Sequence, residues 1–105
     1  MITAIVRFKL PETVSSEQAS KLFQGSAPKY QGLDGLVRKY YLFDERTRTG
    51  GGVYLWESRE AADAVYTPEW RRMIADRYGA EPDIAYFETP VIVDNESEEV
   101  LIAAE

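Results

Sequence analysis

Hydrophobic and polar residues alternate along Ile2–Lys9, with Ala4, Val6 and Phe8 set against Ile5, Arg7 and Lys9. A period of two predicts a first strand with one cleaner apolar face, which Pro11 stops. From Ser15 the period changes: Ala19, Leu22, Phe23, Ala27 and Tyr30 recur at helical spacing, and Ser15 with Gln18 three residues on forms a capping box. Gly25 and Pro28 are expected to bend or break that helix near its end. After the turn signal Gly32–Gly35, the β-branched and aromatic run Leu36–Phe43 predicts a second strand. The polar stretch Asp44–Gly50 predicts an exposed hairpin loop, long for its type and mobile. A third strand follows at Gly51–Glu57. Ser58 caps a helix whose Ala61, Ala62 and Val65 form a small-residue face, and Thr67-Pro68-Glu69 restarts it. Trp70, Met73, Ile74 and Arg77 continue at helical spacing up to the stop at Gly79. A last long strand, Asp83–Val93, is interrupted by Pro90, as at an edge or a bulge.

This order predicts an α+β, ferredoxin-like β-α-β-β-α-β fold, an antiparallel sheet with two helices on one face. Neither phase of the second strand is polar: Leu36, Arg38, Tyr40 and Leu42 lie on one, Val37, Lys39, Tyr41 and Phe43 on the other. A sheet with one face in water should alternate more cleanly. The second face therefore calls for a cover, and a second copy packed sheet to sheet, a homodimer, is expected. Residues 1–94 read as one domain and 95–105 as an acidic tail, whose VLIAA segment would dock on the partner subunit.

Composition narrows the chemistry. The chain has 105 residues and a net charge of −6, but five of its 18 acidic residues lie from Asp94 onward, leaving 13 acidic against 12 basic residues in the rest. Without a basic face, nucleic acid is not an expected partner. No apolar run approaches the roughly 20 residues of a membrane span, and MITAIVRFKL lacks the features of a signal peptide, so a cytoplasmic protein is expected. There is no cysteine and no histidine. Thiolate chemistry, the usual imidazole base and the commonest metal ligand are missing, and no acids cluster at metal-ligand spacing.

The candidate binding residues are aromatic and cationic, and no residue singles itself out as catalytic. Tyr54 and Trp56 share a face of the third strand, where they either fill a core or wall a pocket for a flat apolar molecule. Trp70 precedes Arg71 and Arg72, and an inward arginine could hold an anionic phenolate or carboxylate. Arg38, in mid-strand on the face of Tyr40, needs a partner: Glu57, Glu88, an acid of a second subunit, or an anionic ligand. Tyr86 and Glu88 share a face of the last strand, where Tyr86 could orient a substrate hydroxyl.

The segments GLVRKYYL from Gly35 and GGVYLWESREAADAVY from Gly51 resemble the YdhR-like monooxygenase family of the dimeric α/β-barrel superfamily. The resemblance implies a homodimer whose two sheets form a barrel, with a pocket between sheet and helices in each subunit. It also implies oxidation of a flat phenol- or quinol-like molecule by dioxygen without a cofactor or metal. The absence of histidine departs from the haem-binding branches and removes every histidine-dependent mechanism. In this reading Tyr54, Trp56 and Trp70 are walls, Arg38 or Arg72 the anion partner, and Tyr40 or Tyr86 hydrogen-bonding groups. A non-catalytic homodimer that binds a small molecule or scaffolds a partner is the alternative.

Overall fold

The computed structural model of the protein describes residues 1–103. Strands β1 (Ile2–Lys9), β2 (Leu36–Asp44), β3 (Thr49–Trp56) and β4 (Asp83–Glu88) form one antiparallel sheet in the order β2-β3-β1-β4. Helices α1 (Ser16–Tyr30), α2 (Arg59–Val65) and α3 (Pro68–Tyr78) cover one face of it. The fold is thus α+β and ferredoxin-like. A second, two-stranded sheet joins β5 (Val91–Asp94) to β6 (Glu99–Ile102). Among the described residues no helix is long and apolar enough to cross a membrane.

Local chemistry sets the helix ends. The Ser15 hydroxyl accepts from the Gln18 N–H at 3.1 Å while the Gln18 side chain accepts from the Ser15 N–H at 2.9 Å, closing the capping box. Ser58 and Thr67 accept in the same way from Ala61 and Trp70, and Gly79, left-handed at φ 90°, ends α3. Contrary to expectation, α1 runs through Gly25 and Pro28 to Tyr30. Pro28 sits in the last turn, so its missing N–H removes a single rung.

The β2–β3 connection also differs from its expectation. The strands extend to Asp44 and from Thr49, so only residues 45–48 remain as loop. The Asp44 carboxylate accepts from the Arg46 N–H at 3.0 Å, and Arg48 is left-handed at φ 54°. The Arg48 carbonyl accepts from Leu10 N–H, and its guanidinium donates to the carbonyls of Pro11 and Glu12. The loop is therefore stitched to the β1–α1 connection.

The expected single last strand divides at Thr89-Pro90, because proline has no N–H with which to continue the ladder. The Thr3 and Thr89 hydroxyls are hydrogen-bonded to each other, and Thr89 N–H donates to Met1, so β4 stays beside β1 up to the break. Residues 99–102 of the expected acidic tail are then β6, and its last residues, 104–105, lie outside the described ones. The β5–β6 loop repeats the first: four residues, an Asp94 carboxylate accepting from Glu96 N–H, and a left-handed Glu98 at φ 58°.

Apolar residues of β1 and β3 (Ala4, Val6, Phe8, Tyr54, Trp56) pack against Ala19, Phe23, Ala62, Trp70, Ile74 and Tyr78 of the helices. Two glycines let the central strands approach. A Cβ on Gly51 would collide with the Val6 carbonyl, and one on Gly52 would stand 2.9 Å from the Tyr40 carbonyl and 3.3 Å from Lys39 Cε.

Candidate functional site

A bulge between Leu36 and Arg38 fixes the phase of β2. Beyond it Arg38 pairs with Leu55, Lys39 with Tyr54 and Tyr40 with Val53, so Lys39, Tyr41 and Phe43 turn toward the helices and Arg38, Tyr40 and Leu42 away from them. The sequence-predicted residues thereby divide between the two faces of the sheet.

Tyr54, Trp56, Trp70 and Tyr86 belong to one aromatic cluster on the helix face, joined by Tyr30 and Tyr66. The Tyr54 and Trp56 rings are parallel within 3° at 5.9 Å, and Tyr66 stands edge-on to both. Trp56 Nε1 donates to Tyr66 Oη at 3.1 Å, and Trp70 Nε1 donates to Tyr30 Oη at 3.0 Å. The polar tips of the tryptophans are thus satisfied inside the cluster, which Trp56, with no exposed surface, anchors. Burial pushes the Tyr54 and Tyr66 hydroxyls well above the ordinary tyrosine range, so both stay protonated.

Lys39 lies beside this cluster and is not among the residues that the sequence singled out. Its Nζ is 3.5, 3.9 and 4.5 Å from the ring centroids of Tyr30, Tyr41 and Tyr54. No carboxylate among the described residues pairs with it. Burial pushes the amine down to about 7, and ring faces are what its ammonium has in place of a counter-ion. Tyr41, also raised by burial, shares a 2.6 Å hydrogen bond with Ser26. The Ser26 hydroxyl donates to the Phe23 carbonyl, which leaves Tyr41 as donor to Ser26.

Lys39, Tyr30, Tyr41, Tyr54 and Ser26 line a cleft between sheet and helices together with Phe23, Met73, Lys29 and Arg77, whereas Trp56, Trp70 and Tyr86, expected as pocket residues, are not part of its lining. Its free volume is about 20 Å³, room for a single water. Arg77 is held by donating to the Leu22 carbonyl at 2.8 Å and to Tyr78 Oη at 3.2 Å.

Residues 5–86 match the protein-family model described as "Putative mono-oxygenase ydhR". The chain belongs to this family. The family's region runs from within β1 through most of β4, and so takes in every side chain of the cleft. No curated protein matches the chain. The fold is similar to that of a putative antibiotic biosynthesis monooxygenase from Deinococcus radiodurans, at 16% identity over 90% of this chain and 97% of that one, TM-score 0.61. It is similar also to a putative antibiotic biosynthesis monooxygenase from Nitrosomonas europaea (17%, 85% and 98%, 0.63). A third is SnoaB, a cofactor-independent oxygenase from Streptomyces nogalater (16%, 84% and 91%, 0.60).

Arg38 and Tyr40 lie on the opposite face, where Arg38 Nη1 donates to Tyr40 Oη at 3.2 Å and no carboxylate of the described residues pairs with the guanidinium. They line a groove of about 420 Å³ between the sheet and the β5–β6 hairpin, with Val53, Leu55, Ile92, Leu101, Asp94 and Glu96. Arg72 is exposed on α3, in a shallow depression beside Glu69 and Asp76. Tyr86 carries the Arg59 guanidinium over its ring at 3.7 Å, and Glu88 is exposed at the sheet edge opposite Ile2. The signal for Lys39 was its phase: it shares a face with Tyr41 and Phe43, and Gly52 leaves room beside its stem.

Proposed function

We propose that the protein is a cofactor-independent monooxygenase-type enzyme that oxidises a flat phenol- or quinol-like molecule in the cleft between sheet and helices. One observation carries this reading: the cleft brings tyrosine and phenylalanine rings together with a half-buried amine and, among the described residues, no carboxylate. Membership of the mono-oxygenase family and a fold shared with a cofactor-independent oxygenase support it. A deprotonated phenol supplies its own electrons to dioxygen. One oxygen atom enters the ring as a quinone carbonyl and the other leaves as water, so phenol plus dioxygen balances quinone plus water. The protein's part is to bind the ring, stabilise the anion and exclude bulk water. Because the free volume is water-sized, ring entry requires the long side chains that line the cleft, Lys29 and Met73, to move. Oxygen uptake with a panel of naphthols and hydroquinones tests the reading. Uptake unaffected by catalase, with quinone formed one to one, is expected; no uptake above buffer with any of them rejects it.

The working unit in this reading is a homodimer packed sheet to sheet. Tyr40, Leu42 and Phe87 are exposed on the uncovered face and Val91, Val93, Val100 and Ile102 on the hairpin, apolar side chains that a second copy would cover. Sedimentation at micromolar concentration should give twice the mass of 11.9 kDa, and a monomer would reject it.

The water-sized cleft favours a second reading, in which the rings are core and the protein is a non-catalytic homodimer that binds or scaffolds on the groove side. Ligand binding without oxygen uptake would select it.

A further inference from the structure

The cleft has a charge balance opposite to that of the chain. The protein carries 18 acidic and 12 basic residues, yet the cleft is lined by Lys29, Lys39 and Arg77 and, among the described residues, by no aspartate or glutamate. Its innermost cation, Lys39, lies among three tyrosine faces with no counter-ion among the described residues. An amine in that position lacks one partner, an anion.

We propose that Lys39 is the proton acceptor of this cleft and that the compound it takes is a phenol, held there as its phenolate; the proposal rests on the oxygenase reading above. The neighbouring groups exclude themselves as bases. Tyr30 Oη already accepts from Trp70, and Tyr41 is bonded to Ser26. Burial keeps Tyr54 and Tyr66 protonated. Arg77 has no lone pair to offer and is tied to Leu22 and Tyr78. Lys29 on α1 is exposed to solvent, whereas Lys39 lies among the rings. Lys39, pushed down to about 7, is available in part as the free amine.

In the step itself the phenol O–H bond breaks, the proton passes to the Nζ lone pair, and the oxygen keeps the bonding electrons. Phenolate and ammonium result with no net transfer of electrons. The three ring faces favour the ammonium over the amine, so the cage stabilises the product of the transfer. The new ion pair lies in a site largely shielded from water, where its attraction is strong.

Binding of 2-naphthol, whose phenolate differs in absorption from the neutral form, tests this on the full chain. Wild type near pH 8 is expected to show bound phenolate without releasing a proton to buffer, because Lys39 retains it. Lys39→Arg keeps the cation but not the base, and should release about one proton per ligand bound as phenolate. Lys39→Met should lose the phenolate signal while 2-methoxynaphthalene still binds. As a second measurement, trinitrobenzenesulfonate, a flat aromatic anion that only the free amine attacks, should modify Lys39 about tenfold or more faster than Lys9, Lys21 or Lys29 at neutral pH. Neutral naphthol bound by wild type, no naphthol binding, equal phenolate in Lys39→Met, equal proton release in wild type and Lys39→Arg, or labelling of Lys39 no faster than of the other lysines would each overturn the proposal. Oxygen uptake separates the two claims. Phenolate binding without uptake leaves Lys39 as acceptor and removes the oxygenase; uptake undiminished in Lys39→Met removes Lys39 and leaves the oxygenase.

Discussion

The two faces of the main sheet are built from the same four strands and diverge in how their side chains are completed. On the helix face Trp56 donates to Tyr66 and Trp70 to Tyr30, so aromatic bulk and polar tips are settled within one chain. On the open face Tyr40 and Phe87 keep 54% and 53% of their surface exposed, and Arg38 has a tyrosine hydroxyl as its partner. One strand feeds both: residues of β3 alternate between buried Tyr54 and Trp56 and half-buried Val53 and Leu55. Apolar content alone therefore does not say which face is core. What separates them is the presence of three helices on one side and a hairpin that covers the other only in part.

The most damaging change should fall on the completed face. Trp56→Ala removes the largest fully buried side chain and leaves the Tyr66 hydroxyl without its donor. A loss of about 3–5 kcal/mol is expected in urea unfolding. A loss below about 1 kcal/mol would mean that the cluster relaxes around the hole and that the helix face is less tightly packed than its geometry shows.

The paired change on the open face should act on association. Tyr40→Glu with Phe87→Glu places charges on two exposed apolar positions of the face proposed to meet a second copy. The dimer is expected to weaken by about 100-fold or more in sedimentation, with the stability of the monomer changed by about 0.5 kcal/mol or less. An unchanged dissociation constant would take the sheet face out of the interface.

Lys39 is the place where the helix face is not complete, and pH reads it. Its folded pKa of about 7 lies below the ordinary 10.5, so between these values the unfolded chain holds a proton that the folded chain lacks. Stability should therefore rise with pH across that window, and the penalty of burying the amine is felt in full below about 7. Tyr54 and Tyr66 act with the opposite sign: raised above 10.0 in the folded state, they lower stability once unfolded tyrosines ionise. Lys39→Met should flatten the rise and stabilise the protein near pH 6 by about 1–3 kcal/mol. Identical pH profiles for the two proteins would show that the ring faces fully compensate the amine.

The element order was legible because each helix start carries a side-chain cap and each strand its period, as in Ser15 with Gln18 or Ala4, Val6 and Phe8. The phase of β2 was not, because both of its faces carry a cation amid apolar residues, Arg38 on one and Lys39 on the other, and a bulge after Leu36 resets the register. Only the cross-strand pairing with Tyr54 assigns Lys39 to the rings. The terminal hairpin was obscured by charge: Glu96, Glu98 and Glu99 suggested a tail, although VIVD and EVLI flank a loop with the same aspartate-anchored turn as the one after Asp44.

The smallest effect on stability tests which face receives a ligand. Arg38 is exposed, its guanidinium bonds only to Tyr40 among the described residues, and its truncation should change stability by about 0.5 kcal/mol or less. Arg38 and Lys39 are chain neighbours on opposite sides of the sheet, so the pair of substitutions Arg38→Ala and Lys39→Met separates two sites with little ambiguity. If a phenol binds in the helix-side cleft, its affinity follows Lys39 and is nearly indifferent to Arg38. A tenfold or larger loss in Arg38→Ala, with Lys39→Met unaffected, would place the anion partner in the groove beside the hairpin. The water-sized cleft would then be core, and the rings would serve the fold alone.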